Sequence, residues 1–307
     1  MTLILSVNSP DTVWMLADRR LSFSNGPPRD DARKLLMLET QDSVAMLGYA
    51  GLGCTAGGTE PADWMNAVLR GRSLPLELYL GELAGALQRQ FPPHLRQLPI
   101  KFGAAHSVVV SAFLNGEPRL YSIDIVLSAD RKTHRFRYTR HVSGQVPSDP
   151  PRTPRIALAG SGASFLQRDV QWLRQLLKLV RACDAQRIEP HIVADFLAAL
   201  SNRVSCGMAD KSVGPRSIVV WRHRNGGARI GGGGHQFYNG IVREPDSGIL
   251  PMLANGLDIQ ALVRAAMPFI EPQMSQLREH APVKEIDRDG MNAALAKLPD
   301  QPDETLK

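Results

Sequence analysis

The residue with the most chemical potential stands second in the chain. Met1 is followed by Thr2, a small residue of the kind before which an initiator methionine is generally removed. Removal would leave Thr2 with a free α-amino group beside its own hydroxyl. A threonine hydroxyl is a weak nucleophile until a base takes its proton, and an α-amine, with a reference pKa of about 7.7–8.0, is largely poised to do so near neutral pH. The chemistry open to such a residue is acyl transfer: attack on an amide carbonyl, an ester intermediate, and release by water. Sixteen, thirty-two and forty-six positions further on stand Asp18, Lys34 and Gly48. Taken singly these have plain readings, Asp18 and Lys34 as a partly buried ion pair and Gly48 as a close strand contact.

Other candidate chemistries are weaker. Gly231–Gly234 in RIGGGGH lack the GxxxxGK[ST] pattern of a phosphate loop and precede no helical pattern, and read as a mobile turn. The eight histidines show no HExxH or other paired spacing, so no metal is expected, and nothing asks for a cofactor. Cys54, Cys183 and Cys206 are odd in number, scattered and without CxxC spacing, which reads as reduced thiols. The net charge of +6 could favour nucleic acid, but the basic residues are spread along the chain. The densest run, Arg131–His141, alternates with Phe136 and Tyr138 as a solvated strand face would, so no nucleic-acid partner is expected. No apolar run approaches the ~20 residues of a membrane span. The N-terminus lacks a basic stretch before its short apolar run and does not read as a signal peptide. A cytoplasmic protein with no membrane partner is the expectation.

The elements that must position these residues can be read from periodicity. Four short runs, Leu3–Val7, Thr12–Ala17, Lys34–Leu38 and Ser43–Ala50, are separated by turn-forming residues and read as strands. The first two are apolar on both faces, as in a sheet covered on both sides. After the glycine-rich link Gly51–Gly58, Pro61–Arg70 and Leu74–Phe91 have helical spacing. Ser107–Leu114 and Arg119–Leu127 flank Asn115-Gly116, a strong hairpin signal, and Thr133–Val142 reads as another strand. A four-proline loop, Gly144–Pro154, leads to a strand at Arg155–Ala159. Helices are expected over Ala163–Cys183 and Pro190–Val204, then a strand at Ser217–Arg222 and a glycine-broken run to Tyr238. A last helix is expected near Leu257–Phe269, followed by a frayed end, Pro299–Lys307.

This order resembles that of the proteasome β-subunit-like N-terminal-nucleophile (Ntn) hydrolases, in a bacterial proteasome-related form. That family places an Asp, a Lys and an oxyanion-hole Gly at the three offsets at which Asp18, Lys34 and Gly48 follow Thr2. The resemblance implies an α+β fold, a four-layer αββα sandwich with two mostly antiparallel sheets between helix layers. It covers residues 2–240, leaving 241–307 as an extension with one helix and a polar tail. Thr2 would be the nucleophile and its amine the base. Lys34 would disfavour protonation of that amine and stabilise charge on the oxygen, Asp18 would hold the ammonium, and the Gly48 amide would bind the oxyanion.

Ser161-Gly162 matches the family's Ser-Gly after the strand preceding its third helix, where the serine hydrogen-bonds near the threonine amine; a helix N-cap is the plain alternative. The family's Asp-x-x-Ser-Gly is irregular here, with Asp210 and Ser212 two apart. The specificity positions fall on Leu21, Ala32, Leu36, Met46 and Ala50, small or apolar residues that imply cleavage after an apolar side chain, or else are ordinary core. The resemblance implies a threonine-type endopeptidase in a homo-oligomeric ring, acting on peptide or unfolded protein. Whether an ATP-dependent unfoldase feeds it stays open. So do two other readings: a non-proteolytic Ntn amidohydrolase, and a catalytically silent structural subunit, suggested by the irregular Asp210/Ser212 spacing.

Overall fold

Short β-branched and aliphatic runs at both ends of the domain assemble into two sheets, whose strands and connections are seen in a computed structural model that describes residues 2–22, 26–51, 58–95, 106–127, 134–141, 154–224, 232–245, 250–279 and 285–305. The first sheet contains β1 (Ile4–Asn8), β2 (Thr12–Asp18), β8 (Arg155–Ala159), β9 (Arg216–His223), β10 (Gly232–Tyr238) and β11 (Ile241–Pro245), in the order β11-β10-β9-β2-β1-β8. The second contains β3 (Leu35–Glu39), β4 (Ser43–Ala50), β5 (Ser107–Leu114), β6 (Glu117–Leu127), β7 (His134–His141), β12 (Met252–Ala254) and β13 (Leu257–Asp258), in the order β13-β12-β3-β4-β5-β6-β7. Among the described pairings only β12 with β3 is parallel. The β5–β6 turn uses Asn115 and Gly116 at φ of 50° and 78°, the left-handed conformation its two-residue loop requires.

Seven helices are described: α1 (Pro61–Leu69), α2 (Leu76–Leu95), α3 (Ser161–Gln167), α4 (Gln171–Asp184), α5 (Pro190–Gly207), α6 (Ile259–Arg278) and α7 (Arg288–Leu295). Strand alternation divides the apolar residues among three cores. Leu5, Trp14 and Leu16 pack outward against α4 and α5. Ile4, Val13 and Met15 face inward, where Leu35, Met46 and Val109 of the second sheet meet them. Leu36, Leu38 and Leu47 pack on the other face of the second sheet, against α1 and α2. The apolar stripe of α2, Leu80, Leu83 and Leu87, is fully buried there, each side chain contributing roughly 1.5–3 kcal/mol of transfer free energy.

Several expectations are corrected. The single helix expected over Ala163–Cys183 is two, because the chain turns at Arg168–Val170. Asp169 accepts the Gln171 amide at 2.9 Å, and the Trp172 indole donates to the Leu166 carbonyl at 2.9 Å. The glycines after Gly231 are not a turn: Gly232–Gly234 open β10, paired with β9. A Cβ on Gly233 would lie 2.5 Å from the Trp221 ring and one on Gly234 2.8 Å from Val220 Cγ1, so β10 lies too close to the side chains of β9 for larger residues there.

Beyond Gly240 the described residues form two helices rather than the one expected, and residues 301–305 of the end expected to fray are packed. The Asp303 amide donates to the Ala67 carbonyl at 2.8 Å, the Trp64 indole to the Glu304 carbonyl at 3.2 Å and the Arg70 guanidinium to the Gln301 carbonyl at 2.7 Å. Arg89 forks onto the Glu304 carboxylate at 2.6 and 2.8 Å. Polar composition suggested fraying, but a polar segment can be held when helix-borne donors meet its carbonyls. The Gly51–Gly58 link and the Gly144–Pro154 loop lie largely outside the described residues, as does Cys54.

Candidate active site

The register of the first strand pair sets Thr2 and Asp18 together. Ile4 stands opposite Ala17, so one step further Leu3 meets Asp18. The Asp18 amide donates to the Leu3 carbonyl at 3.1 Å, and the Leu3 amide donates to Asp18 Oδ1 at 2.7 Å. Thr2 Oγ1 donates to the same carboxylate oxygen. Lys34 comes from the other sheet, one residue ahead of β3, where its carbonyl accepts the Tyr49 amide at 3.0 Å. Its ammonium crosses the gap between sheets to donate to Thr2 Oγ1 at 2.7 Å and to Asp18 Oδ1 at 3.1 Å. Thr2, Asp18 and Lys34 are all buried, at 2%, 0% and 3% exposure, so these charges interact in a medium far less screening than water.

Burial lowers the Lys34 pKa from its ordinary value and the Asp18 carboxylate opposes that shift. Asp18 is held further by the Arg20 amide at 3.0 Å on Oδ2, with the Gly214 amide at 3.4 Å. The hydroxyl of Thr2 thus lies between a fixed carboxylate and a fixed ammonium, an arrangement that orients it and can steady negative charge on its oxygen. The Thr2 nitrogen is in peptide linkage to Met1, so a free amine exists only once Met1 is gone.

On the other side of Thr2, its carbonyl accepts the Gly162 amide at 3.2 Å and the Ser161 hydroxyl at 3.4 Å. Ser161 is not the N-cap of α3. That position belongs to Gly160, and Ser161 instead reaches Thr2 and Ser212 Oγ at 3.0 Å. Gly160 was not singled out from sequence, yet its φ is 88° and a Cβ there would fall 2.2 Å from the Thr2 carbonyl oxygen. Its place at a strand-to-helix junction was the available signal. Ser212 is buried next to this group, whereas Asp210 is exposed and meets it only by accepting the Ser212 amide at 3.0 Å. Arg20 and Asp30, bonded at 2.7 and 2.8 Å, brace the loop beside Asp18 and also went unnoticed, because a pair ten residues apart in a loop has no periodicity to mark it.

Gly48 pairs with Leu35 and Val109. A Cβ on it would lie 2.8 Å from Met15 Sδ and 2.9 Å from Ile4 Cγ2, so the approach of the sheets by itself requires glycine. Of the expected specificity residues, Met46 and Ala50 face the inter-sheet core, and Leu21 and Ala32 are buried. Leu36 does not join them. It lies on the opposite face of β3, in the core against α1 and α2, since adjacent strand residues point to opposite faces. Among the described residues no group of three or more His, Cys, Asp or Glu side chains could hold a metal ion. No described helix is long and apolar enough to cross a membrane.

Neither a protein-family model nor a curated protein matches the sequence. Among solved structures the chain is similar to the Gly-1 mutant of Anbu from Hyphomicrobium sp. strain MC1, at 12% identity and TM-score 0.42, covering 93% of this chain and 100% of that one. It is similar to the helical assembly of the Anbu complex from Pseudomonas aeruginosa, at 14% identity and TM-score 0.40, covering 92% and 98%. It is also similar to the ancestral β-subunit Anbu from Yersinia bercovieri, at 14% identity and TM-score 0.42, covering 72% and 82%.

Proposed function

We propose that the chain is a threonine-type Ntn hydrolase of amide, and specifically peptide, bonds, active once Met1 is removed. The observation that carries this is the 2.7 Å contact between Lys34 Nζ and Thr2 Oγ1, made across two sheets by residues thirty-two positions apart. In the reaction Thr2 Oγ attacks the carbonyl carbon as its proton passes to the freed α-amine. The C–N bond then breaks, and the amine gives that proton to the leaving nitrogen. Water, deprotonated by the same amine, cleaves the ester and restores the hydroxyl. Lys34 offsets negative charge on the oxygen and disfavours protonation of the amine, and Asp18 holds both Lys34 and the hydroxyl. The three cores, helix against sheet, sheet against sheet and sheet against helix, support an αββα sandwich for this site.

The Gly48 amide is assigned to the oxyanion, and Met46, Ala50, Ala32 and Leu21 to an apolar pocket before the scissile bond. A homo-oligomeric ring is part of the same reading, to be checked by native mass. The 2% exposure of Thr2 favours a second reading, a silent subunit that retains Met1. Intact-mass analysis combined with a threonine-directed epoxyketone separates them. The hydrolase reading expects a chain one methionine short with a single adduct on Thr2. Retained Met1, or an adduct on any other residue, sinks it.

A further inference from the structure

We propose that the open end of the first sheet carries an anion subsite, built on Arg216 and Arg243, that takes a carboxylate of the substrate; the assignment to substrate rests on the hydrolase reading of Thr2. A cleft of about 370 Å³ lies there, lined by Arg216, Gln236, Phe237, Tyr238 and Arg243. Among the described residues its lining includes two guanidinium groups and no carboxylate, and neither arginine is in an ion pair with another of them. The Arg243 guanidinium lies over the Tyr238 ring, 5.7 Å from its centre, which restricts it to this side of β10. A pair of arginines on one cleft suits a carboxylate, which their planar forks bind bidentately.

The position of the cleft ties it to Thr2. Gln236 stands opposite Ile218, whose side chain is in the inter-sheet core, and Tyr238 opposite Arg216, so Gln236, Tyr238 and Arg216 lie on the sheet face that meets the second sheet. Asp18 is opposite Ser217 and Ser217 opposite Phe237, so the cleft is on the same row of the sheet as the site. Arg19 links the two: its amide donates to the Arg216 carbonyl at 2.9 Å, and its guanidinium donates to the Gln236 side chain. Three strand spacings of about 4.8 Å put the cleft roughly 14 Å from Thr2, the span of about four extended residues. The substrate class this favours is a peptide that ends, or carries an acidic side chain, about four residues from the scissile bond.

Two probes test it, a fluorescein-labelled leucine–tetraalanine peptide with a free C-terminal carboxylate and the same peptide as its C-terminal amide. Binding is measured by fluorescence polarisation to the Thr2→Ala protein, so that turnover does not enter. The carboxylate peptide is expected to bind about tenfold more tightly than the amide, the worth of one charge-assisted hydrogen bond. That preference should fall to within about twofold in Arg216→Gln/Arg243→Gln and shrink as salt is raised. Arg216→Lys/Arg243→Lys should recover part of it. Equal binding of the two peptides, absence of binding by both, or a preference that survives the double glutamine variant overturns the subsite. Hydrolysis of the same peptides by the unmutated chain is scored separately, so that loss of cleavage with preferential binding intact counts against Thr2 chemistry and not against the subsite.

Discussion

Breaking the Thr2–Asp18–Lys34 group one partner at a time should cost more than removing the ion pair whole. In Lys34→Met the Asp18 carboxylate, with 0% exposure, keeps the Thr2 hydroxyl and the Leu3, Arg20 and Gly214 amides as donors. Its loss should therefore sit near the low end of the roughly 3–5 kcal/mol seen when one member of a buried pair is deleted. In Asp18→Asn the ammonium is left with Thr2 Oγ1 as the one full partner described for it, and it can escape by releasing its proton. From an ordinary pKa of 10.5 that release costs about 1.36 × 3.5, or about 5 kcal/mol, at pH 7, which caps the damage.

Asp18→Asn is thus expected to lose about 4 kcal/mol, Lys34→Met about 3, and Asp18→Asn/Lys34→Met clearly less than their sum. The sign with pH follows from protons bound. A folded-state lysine pKa below 10.5 means that the unfolded chain binds more protons, so the Asp18→Asn deficit should shrink as pH rises from 7 toward 10. The assay is urea unfolding of the three variants at pH 7 and pH 9.5, with unchanged m-values as the check on two-state behaviour. Single losses under about 1 kcal/mol that simply add would show that the three groups are not a buried, coupled unit, and the site would have to be redrawn.

Three further outcomes are expected. Burial of His106, hydrogen-bonded to the Tyr49 hydroxyl at 3.1 Å, pushes its pKa from 6.5 down to about 4. The folded state then resists protonation, so about 3 kcal/mol of stability should be lost as pH falls from 6.5 to 4, with an NMR midpoint near 4 rather than 6.5 as the direct measurement. Removal of residues 300–307 deletes the contacts to Trp64, Ala67, Arg70 and Arg89. At about 0.5–1 kcal/mol per hydrogen bond, thermal unfolding should shift down by several degrees, while Arg89→Ala, which breaks an exposed pair, should shift it little. Gly48→Ala forces a Cβ into Met15 and Ile4 and should cost about 1–3 kcal/mol by urea unfolding.

Elements whose signal is local were legible in the chain. β4, β5 and β8 begin and end where apolar alternation and turn residues place them, and the Asn115-Gly116 turn follows from backbone sterics at two residues. The three offsets from Thr2 are legible as well, through the resemblance to a family that carries an Asp, a Lys and a Gly at the same distances. What only the folded chain decided were contacts that pair residues with no shared period. The packing of the tail on α1, the parallel pairing of β12 with β3, and the Gly160 approach to the Thr2 carbonyl depend on which backbone groups arrive unpaired at one place. Leu36 shows the same limit within one strand: the resemblance implied a pocket position for it, and the alternation of β3, fixed by which face α1 and α2 cover, puts it in the outer core. Residue type and place marked Thr2, and the family resemblance marked Asp18 and Lys34, but their burial together, which sets how strongly an ammonium and a carboxylate can act on one hydroxyl, comes from two sheets closing over them.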